Sequence, residues 1–272
     1  MCHWLQVSRS GFYKWLHRKP SHQTQRRTQV KAAVILNFEK FKKRYGAPRL
    51  TVELNESGID CCRNFVAELM SEAGLKARNG KNFRYYPSPL AVNRVSPNLL
   101  RRDFTAGRPN EKWVSDITYI KIQRGYVYLA VVMDLFSRQV IGWSMDNTMT
   151  TDLIMDAFNM AIARRQVKPG LILHSDRGVQ YRTGEYHRAL LSHGIEPSMS
   201  RKRNCWDNAA MESFFARMKV ESVHAESFRN LDEAYSSVFE YIELFYNTIR
   251  RHSANGYKSP KEFEQRHYEK CA

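Results

Sequence analysis

No stretch of 18 or more apolar residues occurs in this chain of 272 residues, which excludes a membrane-spanning helix of ordinary length. The first twenty residues, broken by Trp4, Arg9, Lys14 and Arg18, lack the continuous apolar segment of a signal peptide. Cysteine is sparse: five residues, at 2, 61, 62, 205 and 271, with no C-x-x-C pair. The adjacent Cys61 and Cys62 are badly placed to share a tetrahedral zinc site, so neither a zinc module nor a disulfide framework is indicated. A reducing cytosol is the compartment that fits. A GxxxxGK[ST] loop is missing too, which argues against nucleotide hydrolysis. Internal repeats and low-complexity tracts are absent.

Acidic residues are scarce in one part of the chain only. The formal net charge is +16, and residues 1–110 carry 21 Lys and Arg against 7 Asp and Glu, leaving the remainder almost neutral. A basic front and a balanced back point to a polyanion-binding region followed by a domain with another task. In the basic part Phe38, Phe41, Tyr45, Phe83, Tyr85 and Tyr86 are interleaved with the cations, a pattern that suits nucleic acid.

Residues 4–16 read as the end of a helix-turn-helix, with Ser8 as N-cap and a short helix presenting Arg9 and Lys14 to DNA. Met1 falls inside that motif, so residues 1–20 are expected to be a partial helix-turn-helix with a clipped start. Residues 24–45 predict a basic amphipathic helix with Val30, Ala33, Val34, Phe38 and Phe41 at helical spacing. YGAPRL (45–50) breaks it, Pro48 opens the next helix, and a third covers about 61–73. Residues 21–78 thus form a small all-α, helix-turn-helix-like unit, with Arg49 a further candidate DNA contact. A helical bundle without DNA contact is the plainer reading of the same pattern. Residues 79–110 hold four of the nine prolines and little periodicity, and read as a linker.

From 111 the period changes. KWVSDITYIKI, YVYLAVVMD and QVIGWSM are strand-like runs with hairpin-length connections. A helix (about 151–166), the strand LILHSD (171–176), a helix (about 183–193), the segment GIEPSMS (194–200) and a longer helix (about 206–222) follow. This order predicts an α/β domain over 111–225, a mixed sheet with helices on its faces. Residues 226–272 are expected to be a helical extension, with a helix at about 231–249 and a turn around Gly256 and Pro260.

Asp116 lies in the middle of the first strand, where an unpaired carboxylate is costly to bury. Asp176 ends the buried strand, at the carboxyl edge where α/β sheets place their sites. On the long helix, Trp206, Ala210, Phe214 and Met218 line up as an apolar stripe at about 100° per residue. Glu212 points away from it, and Asn208 and Lys219 share the face of Glu212. Asp207 falls near the stripe and the helix start, where capping suits it. Taken singly, Asp176 could cap a turn, Glu212 could be a surface charge and Lys219 a solvated lysine. Together the three carboxylates form a hard oxygen site suited to Mg²⁺ or Mn²⁺. A pair of such ions serves in-line phosphoryl displacement. His174 faces the same side of its strand as Asp176; it reads either as a hydrogen-bonder to a metal ligand, as Asn208 does, or as a neutral core histidine.

WVSDIT (113–118), HSDRGVQY (174–181) and NCWDNAAMESFF (204–215) resemble the retroviral-integrase-like DDE transposases, and most closely the second reading-frame product of the insertion-sequence-three family. The 35 residues between Asp176 and Glu212 have that family's spacing, and Lys219 matches its basic residue seven positions after the glutamate. VSRSGFYKW, YGAPRL, DLFSRQVIGWSM and YNTIRRHSANGYKSPKEFE extend the resemblance over almost the whole chain. One departure is Arg203, where relatives usually carry glycine before Asn204.

The resemblance implies an RNase H-like integrase catalytic core with Asp116, Asp176 and Glu212 as catalytic metal ligands for two Mg²⁺ or Mn²⁺ ions. It also implies cleavage and strand transfer at the inverted repeats of an insertion sequence. Its expected partners are double-stranded DNA, the upstream reading-frame product as fusion or partner, and further copies of the chain assembled on DNA. Arg250, Arg251 and His252 are expected to touch DNA, the alternative being a basic helix C-terminus favoured by its own dipole. A hydrolytic nuclease of the same fold and a non-catalytic DNA-binding regulator are the competing functions.

Overall fold

The computed structural model describes residues 2, 4–78, 95–201 and 204–271, without the side chain of Cys205, and falls into two compact units divided between Arg78 and Asn79. In the first, helix α1 (Arg9–Leu16) is capped by Ser8, whose hydroxyl accepts from the Gly11 N–H at 3.0 Å; none of its residues is buried. Helices α2 (His22–Lys40), α3 (Ala47–Glu56) and α4 (Arg63–Glu72) pack on one another through Val30, Val34, Phe38, Leu50, Leu54, Val66 and Leu69. Helix α2 ends earlier than the apolar spacing predicts, because Lys42 and Lys43 adopt positive φ. Pro48 sits in the first turn of α3, where its missing N–H costs nothing. Phe38, Phe41 and Tyr45 are buried, Phe41 stacking on Tyr45 at 4.3 Å, so these aromatics build the core and do not face nucleic acid. Phe83, Tyr85 and Tyr86 lie outside the described residues.

The second unit is built on five strands: β1 (Lys112–Ile122), β2 (Gly125–Asp134), β3 (Val140–Asp146), β4 (Ile172–Ser175) and β5 (Glu196–Met199), in the order β3-β2-β1-β4-β5. The first three form an antiparallel meander, while β4 and β5 run parallel to β1. This is the mixed α/β sheet expected from the strand and helix order. One face carries Trp113, Ala130, Val132, Ile141 and Leu173, packed with α5 (Thr151–Arg164) and α6 (Gly184–Ser192). Helix α5 lies so close to β3 that a Cβ on Gly142 would stand 2.1 Å from the Ala157 carbonyl oxygen. Only glycine allows that approach.

On the opposite face Asp116, Val131 and Trp143 are successive cross-strand neighbours. Trp143 packs on Tyr235 of α8 (Leu231–Phe239), and α7 (Ala209–Glu221) lies against β1. After Phe239 the chain continues through Glu240–Tyr246 in wider π-type turns, where one uninterrupted helix was expected. A final helix, α9 (Pro260–Cys271), begins where the sequence indicates only a turn around Gly256 and Pro260; few of its residues are buried, so its apolar signal is faint. It is tied to the sheet domain by Glu264, which accepts from Ser137 and pairs with Arg165. Within the described part of the segment expected to be a linker, the chain is packed on the sheet domain. Residues 79–94 lie outside the described set, but over 95–110 Leu100 is buried, Leu99 N–H donates to Ser198 and Asn98 donates to Asp207.

Candidate active site

Ser115 and Ser175 are parallel partners on β1 and β4, so Asp116 and Asp176 are the next residues along two adjacent strands. Strand β4 stops at Ser175, which leaves Asp176 on the carboxyl edge of the sheet and frees the edge of β1 beyond it. Asp176 folds back on its own turn: its Oδ1 accepts from the Gly178 N–H at 2.8 Å. A Cβ on Gly178 would come within 2.9 Å of that same oxygen, so glycine keeps the carboxylate uncrowded. Asp116 Oδ1 accepts from the Ile117 N–H at 2.8 Å.

Glu212 comes from the first turn of α7, whose buried residues Met211, Phe214, Phe215 and Met218 fix the helix against the domain. The stripe differs from the predicted one. Cys205–Asn208 form a tighter turn before the helix, which throws Trp206 out to 68% exposure. Asp207 does not cap the helix; buried, it accepts from Arg201, Arg102 and Asn98, and the two arginines hold its pKa well below the usual carboxylate range. Its task is to lock the loop before α7 onto residues 98–102.

The electrostatics tie the three carboxylates together. Burial raises the Asp116 pKa well above normal, and the negative charges of Asp176 and Glu212 raise it further, against the Ile117 N–H and Lys219. Asp176 is raised by burial and relieved by the Gly178 N–H and Arg182. Glu212 is exposed by surface area, yet enough protein surrounds its carboxyl to raise it as well. Such a cluster is ill at ease fully ionised unless positive charge enters it. By donor chemistry it fits hard divalent cations. Among the described residues, no three His, Cys, Asp or Glu side chains converge tightly enough to hold a metal as they stand.

The protein supplies two cations of its own. Lys219 is only 8% exposed, its ammonium 4.5 Å from the centre of the Tyr119 ring, and burial lowers its pKa to about 8 while Asp116 opposes that shift. It is no solvated lysine. Arg182 is buried in the turn after Asp176, and the sequence marks it only as a basic residue following the apolar Tyr181.

His174 takes the core-histidine reading. It is fully buried, its ring nitrogens hydrogen-bonded to Ser198 (2.8 Å) and Ser200 (3.1 Å), and burial lowers its pKa to about 4. It touches no carboxylate of the trio among these bonds. Asn208 is buried beside β1, its Nδ2 donating to the Ser115 carbonyl at 3.4 Å and its Oδ1 left without a hydrogen-bond partner.

The basic candidates divide. Arg9 and Lys14 are exposed on α1, and Arg49 stacks on Tyr45 at 5.3 Å. Arg250 corrects the expectation: it is 4% exposed and grips Glu221, whose charge offsets the burial, so it is committed to the fold and not to DNA. Arg251 donates to the Tyr257 carbonyl and the His252 ring packs edge-on against Tyr246, both within the C-terminal segment. Arg203 lies outside the described residues.

Two families, each described as an integrase core domain, match residues 106–205 and 193–260, and an HTH-like domain matches 25–82. The transposase InsF for insertion sequence IS3A of Escherichia coli (strain K12) is 44% identical over 272 residues, covering 98% of this chain and 93% of its own. The insertion element IS600 uncharacterized 31 kDa protein of Shigella sonnei is 39% identical, each chain covered completely. Among solved structures, a simian T-cell lymphotropic virus intasome in complex with PP2A regulatory subunit B56 gamma aligns over 85% of this chain and 73% of its own, at 17% identity and a TM-score of 0.50. That likeness is one of fold, and it agrees with the integrase core that the family resemblance implies. With two relatives matched across nearly their full lengths, the chain belongs to the IS3 family of insertion-sequence transposases, with an integrase core preceded by an HTH-like domain.

Proposed function

We propose that this protein is a DNA transposase that cleaves the terminal inverted repeats of an insertion sequence and joins the freed ends to DNA. What supports it is that Asp116 and Asp176 follow paired residues on adjacent strands at the carboxyl edge of an integrase-type sheet, and that Asp116 feels the charges of both Asp176 and Glu212. Two Mg²⁺ or Mn²⁺ ions bound by these carboxylates would supply the Lewis acidity for in-line displacement at phosphorus. The side chains present hard oxygen donors, and Asn208 and the Gly178 N–H brace the elements that bear them. Lys219, beside Asp116, offers a cation to a DNA phosphate.

The HTH-like unit, with Arg9, Lys14 and Arg49, supports a double-stranded DNA partner. Handling two transposon ends calls for at least two protomers, and the upstream reading-frame product would act as fusion or partner. No described helix is long and apolar enough to cross a membrane, and a cytoplasmic, nucleoid-associated setting follows from the DNA substrate.

The test is incubation of the purified chain with terminal-repeat duplex and Mg²⁺, scoring nicked and joined products. Wild type is expected to give both, and Asp116→Asn and Glu212→Gln neither. Nicking without joining would support the hydrolytic nuclease, a wild type that binds the duplex but gives neither product would leave only a DNA-binding regulator, and undiminished products in both variants would remove the carboxylates from catalysis.

A further inference from the structure

The sheet continues past the carboxylates into a feature that the cleavage reading leaves unused. At the far end of the β1–β2 hairpin, Tyr119 and Tyr126 are 47% and 51% exposed, their rings 5.3 Å apart and nearly perpendicular at 84°. The hairpin between them holds exposed Lys121 and Arg124 and no acidic residue from Ile117 to Val127. Lys219 connects this corner to the active site, with its ammonium against the Tyr119 ring and its charge felt by Asp116. Strand alternation alone would turn Tyr119 away from Asp116. However, β4 no longer flanks β1 beyond Ser115, and the next backbone pairing on that edge is Ile122 with Phe228. Around this free edge the Tyr119 ring reaches the lysine.

Two exposed tyrosines across a hairpin can be explained as a cross-strand pair that steadies the sheet. That account leaves unexplained why the pair stays open to solvent at a hairpin end whose charged residues are all basic, with Lys219 linking Tyr119 to Asp116. Aromatic faces among basic side chains are how proteins hold unpaired bases without reading their sequence.

We propose that Tyr119 and Tyr126 form a stacking corner for unpaired nucleobases of the transposon end, next to the phosphate held at the carboxylates. Tyr119 lies three residue steps along β1 from Asp116, about 10 Å at strand rise. A DNA strand covers that distance in about three nucleotides. The bases held would therefore be those within about three nucleotides of the reacting phosphate, and end-fraying becomes part of substrate recognition. Lys219 would sit between phosphate and base, serving the backbone on one side and the ring on the other. This inference rests on the reading of the chain as a DNA-joining enzyme.

The test uses two terminal-repeat duplexes, one fully paired and one with three mismatched nucleotides beside the cleavage point and 2-aminopurine in the unpaired stretch. Wild type is expected to bind both, to prefer the frayed duplex, and to quench its fluorescence by stacking. Tyr119→Ala should lose most of the quenching and about ten- to a hundredfold of affinity for the frayed duplex, with binding to the paired duplex unchanged. Tyr119→Phe keeps the ring and should behave as wild type, and Tyr126→Ala should show a partial loss. Full quenching retained in both alanine variants, with unaltered circular dichroism, would overturn the stacking corner. Equal binding of both duplexes by wild type without quenching would overturn it too, leaving the transposase reading intact; failure to bind either duplex would remove both.

Discussion

Arg250 holds Glu221 through two hydrogen bonds of 2.7 Å, one from Nε and one from Nη2, at a point where both side chains are almost wholly removed from solvent. Tyr241 donates to the same carboxylate at 3.0 Å. Glu221 is the last residue of α7, the helix that carries Glu212 and Lys219. The pair therefore anchors the C-terminal end of the helix whose N-terminal end enters the active site.

Removing one partner strands a buried charge. Arg250→Met should destabilise the protein by about 3–5 kcal/mol, and the double variant Arg250→Met, Glu221→Met should recover most of that loss. Denaturant unfolding reads the stability. The salt dependence of DNA binding provides the control: its slope should not change, whereas a decrease of about 0.9 in Arg250→Met would return this arginine to the DNA.

Asn208 separates stability from activity. Its bond to Ser115 is long and its Oδ1 has no partner, so Asn208→Ala should shift the melting temperature little. Because the residue braces the start of α7 against β1 beside Asp116, strand cleavage should fall about 10–100-fold. Unimpaired cleavage would reduce Asn208 to filler.

Asp134 predicts a pH dependence of folding. It is fully buried at the end of β2, and burial raises its pKa to about 6 against the N–H groups of Asn110 and Phe136 and the nearby Arg165, while Glu264 adds to the rise. An unfolded aspartate titrates near 3.9. The folded pKa is the higher one, so protonation favours the fold: the contribution is complete below about pH 4 and is lost as pH rises through about 6. Between pH 7 and pH 4 wild type should gain about 2 kcal/mol on Asp134→Asn. Parallel melting curves across that range would show instead that the carboxyl ionises normally.

What the sequence by itself determined is the part encoded by period and residue type. Short runs rich in apolar, β-branched and aromatic residues over 112–122 and 126–134, bounded by turn residues, specify strands, the second buried on both faces over most of its length. Asp116 stands out because a strand interior rarely tolerates a carboxylate, and the spacing of Asp176 and Glu212 carried the family resemblance. Tertiary structure alone decided which charges are spoken for. Arg250 looks like a surface cation until Glu221, 29 residues away, is seen to face it across the fold. His174 looks like a companion of Asp176 until Ser198 and Ser200 take both its nitrogens. Lys219 resembles a solvated side chain until β1 lays Tyr119 beneath it. Periodicity reports which face of an element is apolar, but an ion pair, a ring contact or a shared carboxylate cluster depends on which distant element packs there.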